Sequence, residues 1–173
     1  MTLYAVLVGF HVLFAALFVG GNAFLDFLLS PRLDLLPPGQ AARLGEKLGM
    51  DFAIYSWAAL IGLFLTGMIS LYQMDLLAQL VEAEFWGTDY GRALASMSIG
   101  WLIMIVSATI LTFYLRPRVV VKIPHDATRE MATGKRDDTV RYAKYMSWLA
   151  RFNAVGSIAL VFIGVFLTKN GGF

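Results

Sequence analysis

Four long runs of apolar residues decide what this chain can fold into. They lie at about residues 3–30, 52–72, 95–115 and 145–167. Each is long enough to cross the hydrocarbon core of a bilayer, which takes about 20 residues of helix. Backbone groups in lipid have no water to bond to, so runs of this kind close their hydrogen bonds as helices. Composition agrees: the chain is 58% hydrophobic and 15% charged, with a mean hydropathy of +0.68. A soluble domain carries about 25% charged residues. The expected fold is all-α, an antiparallel four-helix membrane bundle, with residues 1–173 forming one transmembrane domain. No internal repeat and no soluble domain is read from the sequence.

The bases give the orientation. Arg32, Arg43 and Lys47 fall between runs one and two, and eight more, from Arg116 to Lys144, fall between runs three and four. The segment between runs two and three has only Arg92, against Asp75, Glu82, Glu84 and Asp89. Basic flanks mark the cytoplasmic side, so both termini and the middle segment are expected outside, in a bacterial inner membrane or one like it. Run one has no basic start and is expected to stay in the protein rather than be cleaved as a signal peptide. The middle segment DLLAQLVEAEFW spaces Leu76, Leu77, Leu80, Val81 and Phe85 as one helix face. That spacing suits a helix lying at the membrane interface, anchored by Trp86 and Tyr90, and equally a solvated helix packed on the bundle. The third connection, with His125 and Pro124, reads as an exposed basic segment that meets anionic lipid.

Exclusions follow from residue types. With no cysteine there is no disulfide, thiolate metal site, iron–sulfur ligation or covalent heme attachment. A net charge of +2 gives no footprint for nucleic acid. The expected partners are the bilayer and other membrane subunits, or a second copy of the chain.

The chemistry concentrates in run one. His11, Ala15, Phe18, Asn22 and Asp26 fall within one stripe of roughly 60° to 70° on the helix. Gly9, Ala16, Gly20, Gly21 and Ala23 provide small residues for close helix packing. Lipid penalises unpaired polar groups, so the stripe is expected to face the bundle interior. His11 then has three readings: a hydrogen bond to a neighbouring helix, an axial ligand to a b-type heme, or a copper or proton site. If run three begins near Ala95, the depth of His11, ~12 Å at 1.5 Å per residue, is matched by Met104, with Met97 the alternative nearer the outside. Met104 is the candidate second ligand and, equally, an ordinary core gap-filler. Asn22 is the further candidate beside a cofactor, though Asn22 and Asp26 also suit tying helices together or meeting Arg32 and Arg151.

The residues Phe10-His11, Phe18 to Gly21 and Pro31-Arg32-Leu33, with a basic third connection before the last run, carry a resemblance. The chain resembles the membrane superfamily of CopD-type copper-resistance proteins and four-helix protoporphyrinogen oxidases. The resemblance implies a four-helix scaffold, a heme b cofactor held by His11, and work in electron transfer or porphyrin-linked redox chemistry. In the oxidases a third-helix lysine also functions. Here the third run reads LIMIVSATI after Trp101 and has no base, so that activity lacks its second residue. A copper path needs several ligands in series, and only His11 and scattered methionines offer themselves. Two alternatives to heme binding stay open: an accessory subunit or assembly factor of a larger membrane complex, and copper transport or resistance.

Overall fold

The computed structural model describes residues 3–33, 35–36, 38–119 and 129–170. Among them all regular structure is helical, and four helices are long and apolar enough to cross a membrane. We number them α1 (Leu3–Leu33), α2 (Pro38–Gln73), α3 (Asp89–Val119) and α4 (Arg129–Asn170). α1 and α3, each of 31 residues, reach about 46 Å at 1.5 Å per residue. They are therefore longer than the roughly 30 Å of hydrocarbon, with Arg32 and Arg118 at their ends. α4 starts well before the apolar run, because Arg129 to Lys144 is rich in strong helix formers and contains no proline. The third connection is thus helical from Arg129 on, while His125 and Lys122 lie outside the described residues.

Neighbouring helices run antiparallel. His11 meets Thr66, Phe14 meets Gly62, and Phe18 belongs to a core layer with Ala59 and Leu60. In the other pair Met97 meets Gly164, Gly100 meets Leu160, and Met104 meets Gly156. Large side chains sit in glycine notches, as expected where lipid supplies no hydrophobic drive and close packing must hold helices together. A Cβ at Gly62 would fall 2.6 Å from the Phe14 ring, so the ring would have to move for any larger residue there. Two tryptophans tie α2 to α3. Trp101 donates to the Leu60 carbonyl at 3.0 Å and stacks on Phe64, and Trp57 donates to Thr112 Oγ1 at 3.3 Å.

The middle segment forms two short 3₁₀ turns, Ala78–Val81 and Phe85–Gly87, in place of one amphipathic helix. α2 stops when Asp75 takes a left-handed backbone (φ 54°) and the Leu76 N–H closes back onto the Leu71 carbonyl, a Schellman-type end. Phe85 is buried, and Val81 points outward at 89% exposure, so the apolar positions do not share one face.

α1 and α3 end alike. Each holds a π-helical stretch, Phe24–Leu29 and Ile110–Leu115, and each stretch is followed two residues on by a proline, Pro31 and Pro117. Proline has no N–H and crowds the carbonyl four residues back; a wider turn relieves both problems. The residue before each proline bonds five back, Ser30 to the Leu25 carbonyl and Arg116 to that of Leu111. The arginine after each proline donates to a carbonyl four back at 2.6 Å, Arg32 to Leu28 and Arg118 to Tyr114. In sequence, Leu25, Phe27, Leu29, Pro31 and Arg32 recur as Leu111, Phe113, Leu115, Pro117 and Arg118. The bundle is therefore built of two similar hairpins, α1–α2 and α3–α4, in the same up-down sense. This repeat was not read from the sequence, because the matching residues form one short stretch in each hairpin.

Candidate functional site

His11 is half-buried on α1, and its ring faces α2. Nδ1 lies 2.8 Å from Thr66 Oγ1. The Thr66 hydroxyl lies 2.7 Å from the Gly62 carbonyl and 3.2 Å from that of Leu63. With the hydroxyl proton on the Gly62 carbonyl, the Thr66 oxygen accepts from His11, and the neutral ring then carries its proton on Nδ1. In that tautomer the lone pair is on Nε2. Gly67 makes room at this edge of the ring, since a Cβ there would lie 3.7 Å from His11 Cε1. A histidine that ligates metal through one nitrogen is usually held through the other by a hydrogen bond of this kind. Thr66 was missed in the sequence, where a threonine in an apolar run carries no periodic signal.

Met104 is not brought to His11. It is 4% exposed and packs with Phe18, Ala59, Leu60 and Ala108, its methyl turned to Gly156 of α4. Phe18 is seven residues from His11, about 10 Å along the helix. The register that sets Pro31 on Pro117 sets His11 on Met97 and Phe18 on Met104, so Met104 lies one core layer away from His11. Met97 also takes the place of His11 in the second hairpin, meeting Gly164 as His11 meets Gly67. Exchanging Met104 for leucine keeps core volume, so Met104→Leu should cost less than about 1.5 kcal/mol in detergent unfolding and leave any bound cofactor unchanged.

Asn22 is 8% exposed and donates from Nδ2 to the Phe18 carbonyl at 2.8 Å. It sits with Asp26 on the wall of a cavity nearer the basic end, about three turns from His11. The Asp26 carboxylate is 6% exposed and meets Arg151 Nε at 3.7 Å, so the expected tie to Arg151 is made.

The structure offers a metal a single imidazole, His11, and does not bring Met104 to it. Among the described residues no three His, Cys, Asp or Glu side chains gather into a metal group. The chain matches no protein-family model, no curated protein and no solved structure.

Proposed function

We propose that this chain is a multi-pass membrane protein of the bacterial inner membrane type that binds heme b through His11, in electron transfer or porphyrin-linked redox chemistry. Both termini and the segment between α2 and α3 face outward on this reading, with the arginine-rich helix ends inside. The observation that carries it is the 2.8 Å contact of His11 Nδ1 with Thr66 Oγ1, which turns the ring toward α2 and, with the proton on Nδ1, offers Nε2 to a ligand inside a helix where lipid penalises an imidazole. Heme supplies one-electron exchange. Thr66 fixes the ring's tautomer and orientation, and through ligand basicity it tunes the potential. The test is a reduced-minus-oxidised spectrum of protein purified in mild detergent with heme supplied. An α-band of the b type is expected, and its absence after heme supply ends the reading.

A second reading, a subunit or assembly factor of a larger membrane complex, is favoured by the exposure of α1. Only 6% of its apolar window is buried, against 22–28% for the other three helices, and Gly9 and Gly20 meet nothing within 4 Å. Isolation in digitonin separates the two: a partner in fixed stoichiometry, without heme, supports the subunit.

A further inference from the structure

The two π-helical stretches face one another across a cavity of about 430 Å³ between the hairpins. Its walls run from Phe18 and Asn153 in the bundle core to Gly45, Arg116 and Val119 at the basic end. Most of the lining is apolar, with Leu25, Leu29, Phe52, Leu111 and Met146 among it. A volume of this size suits a small organic molecule.

Among the polar groups on the wall, two acceptors are buried with little or nothing bonded to them. Asn153 is 2% exposed, and among the described residues its Oδ1 has no hydrogen-bond partner. The nearly buried Asp26 carboxylate meets a single cation, and at 3.7 Å; that is too long for a hydrogen bond. Asn22, also on the wall, donates from Nδ2 to the Phe18 carbonyl. The nearby cation Arg116 already donates to the Gly49 and Glu46 carbonyls at 3.1 and 2.9 Å. A buried acceptor left unmade is costly, and a carboxylate at membrane depth marks a site by default. Repeat proteins of the membrane place ligands at the repeat interface beside irregular helix turns; here Ser56 of α2 and Asn153 of α4, at corresponding places in the hairpins, both line the cavity.

We propose that this cavity binds a primary amine with an apolar body, its ammonium on Asp26 and Asn153 and its body along the leucine-lined walls. An ammonium offers three donors and no acceptor, which suits the unpartnered Asn153 Oδ1 and the long-paired Asp26 carboxylate. The site is separate from His11, and its test needs no heme.

The experiment uses the full chain carrying His11→Ala in nanodiscs of zwitterionic lipid, with radiolabelled octylamine and empty nanodiscs as the background. Saturable octylamine binding is expected, with octanol and octanoate weaker by about tenfold or more, the worth of one charge-assisted hydrogen bond. Asp26→Asn should bring octylamine down to the level of octanol. Asn153→Asp, which adds a second carboxylate, should tighten it. The proposal is overturned if octanol binds as well as octylamine, or if Asp26→Asn keeps full affinity. Should Asp26→Asn fail to fold, Asn153→Asp decides alone, and unchanged or weaker octylamine binding overturns the assignment.

Discussion

Alanine at Gly91 is expected to destabilise the folded protein by about 2–4 kcal/mol, from the loss of one helix cap and part of one buried phenylalanine. Thr88 caps α3: its hydroxyl oxygen accepts from the Gly91 N–H at 3.0 Å and its proton goes to the Phe85 carbonyl at 2.6 Å. That carbonyl packs directly on the Gly91 Cα, where a Cβ would collide with backbone atoms of Phe85 and Trp86. A side chain could rotate away, but a carbonyl held at 2.6 and 3.1 Å by Thr88 cannot. The turn must lift, and Phe85, 6% exposed and edge-on to Trp86 and Tyr90, lifts with it. Gly87→Ala is the control, because nothing lies within 4 Å of its Cβ site, and it should stay within about 0.5 kcal/mol. Unfolding in mixed micelles with increasing SDS measures both. Equal stability of the two variants would show that the outer turn does not rest on α3 as described.

The four spans were legible because lipid enforces one rule on every residue of a span, so the signal is long and redundant. The polar stripe of α1 was legible for the same reason, and Asn22 and Asp26 do face the interior. Span ends were not. Asp89 to Leu94 is too polar to join an apolar run, yet Thr88 starts the helix there through its cap. The π stretches were invisible to a count that assumes 100° per residue. Their cause, a proline followed by arginine, stood in the sequence twice. Thr66 and Asn153 carry no pattern, since a single hydroxyl or amide in an apolar helix gains meaning only from what faces it.

His11→Ala is expected to abolish heme binding, and Thr66→Val to weaken it by about 10–100-fold, the usual cost of losing the group that orients a metal-binding histidine. Valine keeps the shape of threonine and removes the acceptor that fixes the Nδ1 proton. The ring is then free to turn or to carry its proton on Nε2, where it blocks the iron. Thr66→Ser keeps the acceptor and should restore most of the affinity. A merely structural Thr66 would behave differently, because its own bond to the Gly62 carbonyl lies within α2 and its loss touches stability alone. Nitrogen-15 shifts of His11 in the heme-free protein separate the two cases. Protonated Nδ1 in the wild type and in Thr66→Ser, with a mixed or reversed tautomer in Thr66→Val, is the expected pattern. Protonated Nε2 in the wild type would leave no lone pair for iron, and the histidine would then be an interhelical tie and nothing more.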